Sequence, residues 1–137
     1  MKKFSILRIN LVLLFSLTFN LAIGQTQTDN TQNQSDPSWV VNQLFEAANN
    51  GDYTILEKLC DPMEEGDGDT KTICGLASAS EKVKTEFATY FKAGKIVGEP
   101  EINDNTASVP FKFGPNGERD ETMNLVQREG LWYLSSF

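Results

Sequence analysis

Cys60 and Cys74 are the only cysteines in a chain that contains no histidine. Without imidazole, Ser-His-Asp and Cys-His catalysis are excluded, as is every zinc site that needs a histidine ligand. Two cysteines in an oxidising compartment point to a disulfide, and closing the loop between them would contribute about 3 kcal/mol in the chain-entropy account. The alternative is two separate thiols, Cys60 packed on a helix and Cys74 in a loop. A redox-active pair lacks its usual marks, since C-x-x-C spacing and a basic neighbourhood are both missing. We expect a structural crosslink.

Between the cysteines, Asp61, Glu64, Glu65, Asp67 and Asp69 alternate with Gly66 and Gly68. Several carboxylates on a flexible turn are what a hard cation such as calcium requires. The spacing nevertheless misses the D-x-D-x-D-G loop, and no glutamate closes it at the twelfth position. A solvated acidic loop accounts for the same residues, so the expectation is no metal and no cofactor.

The chain opens with Lys2, Lys3 and Arg8, followed by an apolar stretch from Ile9 to Ile23 and the small residues Ala22 and Gly24. A basic head, an apolar middle and small residues at a cleavage spacing read as a secretory signal over 1–24. An uncleaved anchor would want about 20 uninterrupted apolar residues, whereas Asn10 and Asn20 break this run. No cysteine follows it, so a lipid-anchored signal is not available. The expected destination is the periplasm or the exterior.

Over its full length the chain carries 12 basic and 19 acidic residues, a net charge of -7 at pH 7. Cleavage after Gly24 would remove three of the positive charges and none of the negative ones. Such a surface repels phosphate backbones and anionic headgroups, which argues against nucleic acid or, after cleavage, a membrane as partner. A small apolar ligand or a protein remains, with the chain a monomer or weak homodimer.

Residues 25–35 (QTQTDNTQNQS) hold no large apolar side chain and read as a polar linker. The folded domain is expected over 36–137. Asp36-Pro37 starts a helix, with Val41, Leu44, Phe45 and Ala48 on its buried stripe and Asn50-Gly51 as its stop. Asp52 can cap a shorter helix burying Ile55, Leu56 and Leu59, and Asp61-Pro62 ends it. Ser78-x-x-Glu81 has capping-box spacing for a third helix that carries Val83, Phe87, Tyr90 and Phe91 and stops at Gly94.

Beyond Gly94 the period changes to two. Lys95 to Ile102 is a strand weakened by Gly98 and Pro100. Thr106 to Phe113 puts Ala107, Val109, Phe111 and Phe113 on one face, and Pro110 must meet an edge or a bulge. Glu118–Arg128 and Leu131–Phe137 form a hairpin across Glu129-Gly130. The fold class is therefore α+β, with three N-terminal helices packed on a curved four-stranded antiparallel sheet.

This element order, with Asn50-Gly51-Asp52-Tyr53 between the first helices and a closing Glu129-Gly130-Leu131-Trp132-Tyr133-Leu134, resembles the nuclear transport factor 2-like superfamily. It is most similar to small exported members related to the lumazine-binding-like group. The resemblance runs from Asp36 to Phe137 and implies a pocket between the helices and the concave face of the sheet. Isomerases of that superfamily place a tyrosine and two carboxylates there, and dehydratase relatives add histidine; this chain departs from both patterns. Glu121 shares a strand face with Met123 and Leu125, and Tyr90 and Tyr133 could supply hydroxyls. A buried glutamate beside a tyrosine would have a raised pKa and could move protons. The plainer alternative leaves Glu121 in water near the hairpin turn.

The aromatics supply the last constellation. At helix and strand periods they read as core; if a cavity exists, Phe87, Tyr90, Phe91, Phe111 and Met123 are its expected walls. The reading is an exported, non-catalytic binding domain for a small apolar molecule. The alternatives are an acidic protein-interaction or immunity-type module, or a general acid-base isomerase or dehydratase-like enzyme.

Overall fold

The computed structural model describes residues 33–137. The expected signal segment and most of the polar linker lie outside the described residues. Helix α1 spans Pro37–Asn50, entered through Asp36, whose carboxylate accepts from the Ser38 amide at 2.9 Å. It ends at Gly51, where φ is 71° and the amide returns to the Ala47 carbonyl; the left-handed turn favours glycine because it lacks a Cβ. Val40, Val41, Leu44, Phe45, Ala47 and Ala48 on this helix are buried. Helix α2, Thr54–Lys58, is one turn long, and Asp52 accepts from both the amide and the hydroxyl of Thr54.

Two more helices follow, α3 over Gly68–Cys74 and α4 over Glu81–Phe91, with a single 3-10 turn at Leu76–Ser78 between them. Helix α3 adds to the three helices expected, in a segment whose acidic, glycine-containing start resembles a loop. Asp67 supplies what the composition concealed: its carboxylate accepts from the Thr70 amide at 2.8 Å and caps the helix. The expected capping box is displaced as well. Ser78 lies inside the 3-10 turn, and Ser80 is the residue before α4, without a side-chain cap bond.

The five strands among the described residues are antiparallel: β1 Lys95–Ile96, β2 Glu101–Asn103, β3 Thr106–Phe113, β4 Arg119–Arg128 and β5 Leu131–Ser136. The single strand expected over Lys95–Ile102 is thus two short ones, both paired with β3. Pro110 explains the interruption. β1 pairs with Phe111 and Lys112 and β2 with Thr106 to Ser108, so the break faces the proline that has no amide donor. The Pro110 carbonyl still accepts from the Val97 amide at 3.0 Å. A Cβ on Gly98 would meet the Pro110 ring at 2.9 Å, which is why a glycine occupies the gap.

One sheet face is dry and the other wet, as expected for an antiparallel sheet covered on one side. Val109 pairs with Met123, and Ala107 with Leu125, which in turn pairs with Leu134; all five are buried. Helix α1 packs on β1, β3 and β5, and α4 packs on α1. On the outer face Ser108, Asn124 and Ser136 form a hydrogen-bonded row across three strands, and Lys112 pairs with Asp120 at 2.7 Å.

The free edge of β5 is closed by loops rather than by a strand. Gln34 accepts from the Trp132 amide at 2.9 Å and returns its side-chain amide to the Trp132 carbonyl at 3.1 Å. Leu59 accepts from Leu134, and the Asp67 amide donates to Ser135. Gln34 is buried, so the packed structure includes this residue ahead of Asp36. Covering an edge in this way removes a template for aggregation.

Candidate functional site: an aromatic cleft at the mouth of the sheet

The hollow of the sheet is filled. Phe111 and Met123, expected as cavity walls, are both 0% exposed, and the Phe111 ring lies 6.0 Å from Phe45 and 6.3 Å from Phe91. Neither is among the residues that line the open cleft. Above them a cleft of about 310 Å³ opens between α3, α4 and the ends of β3 and β5. Helix α4 contributes Val83, Glu86, Phe87, Tyr90 and Phe91, so three of the five expected wall residues are on it. Helix α3 contributes Asp69, Thr72 and Ile73, β3 contributes Phe113, and Phe137 follows the end of β5.

Three of these rings are set against one another at steep angles. Phe137 stands edge-on to Phe91 at 5.8 Å and 79°, and to Phe113 at 6.2 Å and 87°. Phe91 and Phe113 are 5.6 Å apart. Such tilted packing suits ring quadrupoles. Phe87 stacks on Phe91 at 4.5 Å below them.

Phe137 reaches the cleft only because of an irregularity. From Trp132 and Leu134, both buried, strict alternation would bring Ser136 inward and turn Phe137 out. The ladder shifts between Asn124 and Leu125, so Leu134 pairs with Leu125 but Ser136 with Asn124, leaving Ser135 as the extra residue. One inserted residue reverses the faces that follow it. Ser136 then joins the polar row and Phe137 turns to the rings. Phe113 was legible from its alternation with Phe111; Phe137 was not.

Helix α3, the wall that faces α4, is fixed at both ends. Cys74 at its end is bonded to Cys60, with Cα atoms 5.9 Å apart, as the sequence had suggested. Asp67 at its start accepts from the Thr70 and Phe137 amides. Burial opposes its ionisation, but the hydrogen bonds from those amides outweigh it and hold the carboxyl below its usual range.

The acidic loop before α3 is engaged from within the domain. Arg128 on β4 reaches Asp61 with two nitrogens and Glu65 at 2.6 Å. Its guanidinium draws the Asp61 carboxyl down, against the burial that would raise it. Among the described residues no cluster of three or more acidic or cysteine side chains is arranged to hold a metal ion. A second hollow, about 370 Å³, lies beside the disulfide and is lined in part by Glu57, Asp61, Glu64, Thr70 and Lys71. Its mixed charges and engaged carboxylate make it a poorer ligand site than the aromatic cleft.

The acid-base residues do not converge on the cleft. Glu121 lies opposite Phe111 in the ladder yet is exposed, and its carboxylate accepts from the neighbouring Thr122 amide. Tyr133 is between the inward Trp132 and Leu134 and so projects from the other sheet face, beside Met63 and Arg128. Tyr90 alone of the three is at the cleft, its ring 6.2 Å from Phe113, with the Arg119 guanidinium 5.4 Å from its centroid.

No family model and no curated protein matches the chain. A solved structure from Campylobacter jejuni, described provisionally as an NTF2-like transpeptidase, is 18% identical, with a TM-score of 0.43 over 69% of this chain and 92% of that one.

Proposed function

We propose that this chain is an exported, non-catalytic binding domain of nuclear transport factor 2-like form that holds a small apolar ligand in the aromatic cleft. The carrying observation is the cleft itself, about 310 Å³, walled by Tyr90, Phe91, Phe113 and Phe137. An apolar concavity with few polar groups is the usual form of a small-molecule site. The order of helices followed by an antiparallel sheet supports the superfamily reading. Export is supported by the Cys60–Cys74 disulfide, which persists in oxidising compartments. The dispersal of Glu121, Tyr90 and Tyr133 gives the isomerase alternative no assembled acid-base pair.

The test is saturable binding of the uncharged fluorophore N-phenyl-1-naphthylamine to the purified protein. Tyr90→Ala and Phe113→Ala should each weaken it, and native mass spectrometry of the same protein should show any retained ligand. Linear, non-saturating fluorescence unchanged by either substitution would refute the reading.

A second reading draws on the β1–β2 edge. Ile102 is 57% and Val97 44% exposed there, flanked by exposed Glu99 and Glu101. Apolar residues framed by acids suit a basic protein partner, whose capture from an envelope extract should weaken with added salt. Salt-insensitive capture, or none, counts against it.

A further inference from the structure

Resting on the reading of the cleft as a ligand site, we propose that its ligand class is an organic cation carried on an apolar group, such as a quaternary or alkyl ammonium. The inference comes from what surrounds the apolar walls. Asp69 on α3 and Glu86 on α4 are both exposed and both line the opening, and no lysine or arginine is among the lining residues. An alkyl carboxylate entering this mouth would bring a third negative charge against two, whereas an ammonium would be attracted by both.

The walls add a second preference of the same sign. Aromatic faces carry negative quadrupole potential, and cations settle on them. Tyr90, Phe113 and Phe137 are half-buried, so their rings remain within reach of a ligand. The chain already uses one of these rings in this way, with Arg119 placed 5.4 Å from the Tyr90 centroid. Arg119 itself borders the neighbouring surface with Gly114 and Pro115, outside the cleft lining. The net charge of -7 further raises the local concentration of cations.

The experiment compares octyltrimethylammonium, 1-octanol and octanoate, below their micellar concentrations, as displacers of N-phenyl-1-naphthylamine. The cation should displace at least about tenfold more effectively than octanoate, with the alcohol between them. In the variant Asp69→Asn with Glu86→Gln, that advantage of the cation over octanoate should shrink to about threefold or less. Both replaced side chains are exposed, and matching thermal melts would confirm intact folding. Octanoate equal to or better than the cation overturns the cation class and leaves the apolar site standing. An advantage that persists in the double variant overturns the role of the two carboxylates. No binding by the naphthylamine or any octyl compound removes the site and the ligand class together.

Discussion

Arg128 holds Asp61 by two parallel contacts, Nε to Oδ1 at 3.2 Å and Nη2 to Oδ2 at 2.9 Å, across 67 residues of chain. The Asp61 side chain is 2% exposed. This clasp ties the loop that leads into α3 to the last turn of the sheet, and so sets where one wall of the cleft stands. A two-point guanidinium-carboxylate contact fixes orientation as well as distance.

Asp61→Asn should lower folding stability by about 2 kcal/mol, the range for hydrogen bonds to charged groups. Arg128→Met should cost more, because it leaves a buried carboxylate without its cation. Urea denaturation of both single variants and the double variant gives the coupling energy. Strict additivity would show that the contact contributes nothing specific.

Acid should unfold this protein through the same loop. Asp61 and Asp67 have folded pKa values below the usual carboxylate range, so the folded state binds protons less readily than the unfolded state. Their contribution is complete above the unfolded value of about 3.9 and is lost as pH falls through the lower folded values. Denaturant midpoints should stay level from neutral pH to about 5 and then fall steeply. Asp61→Asn should flatten the acid limb, and an unchanged limb would exclude this residue as its source.

Removing the disulfide tests the attachment of α3. Cys60→Ser with Cys74→Ser should reduce stability by about 3 kcal/mol. Because Ile73 on α3 lines the cleft one residue before Cys74, naphthylamine binding should weaken in the folded variant too. Full binding with reduced stability would show that α3 holds its place without the crosslink.

Two glycines offer opposite outcomes. A Cβ on Gly94 would run into the Phe45 ring and crowd the Phe91 carbonyl, so Gly94→Ala should destabilise by about 1–3 kcal/mol. Gly68, in the first turn of α3, has open space around the same atom. Gly68→Ala should stabilise by roughly 0.5–1 kcal/mol, since alanine loses less chain entropy on folding. Thermal melts of the two variants, shifting in opposite directions, are the expected result.

Much of the frame was legible because its signals are local. Asp36-Pro37 and Gly51 bound α1, strict alternation gives β3 from Thr106 to Phe113, and Glu129-Gly130 turns the last hairpin with φ of 52° and 83°. Less legible was α3, whose composition reads as loop and whose position depends on Asp67, Cys74 and the Asp61–Arg128 clasp. The split of the first strand was half-visible in Gly98 and Pro100, but its cause is Pro110 on the neighbouring strand.

The sequence by itself determined the absence of imidazole chemistry, the acidic balance, the cysteine pair and the helix-then-strand order, since each follows from residue type or from short-range periodicity. Tertiary structure alone decided which aromatics fill the core and which face the cleft. Phe111 and Phe137 carry the same side chain, yet one is sealed under α1 and α4 while a single extra residue at Ser135 turns the other into the opening. Burial depends on which surfaces meet across long separations, and a one-residue shift in pairing exchanges the faces of a strand.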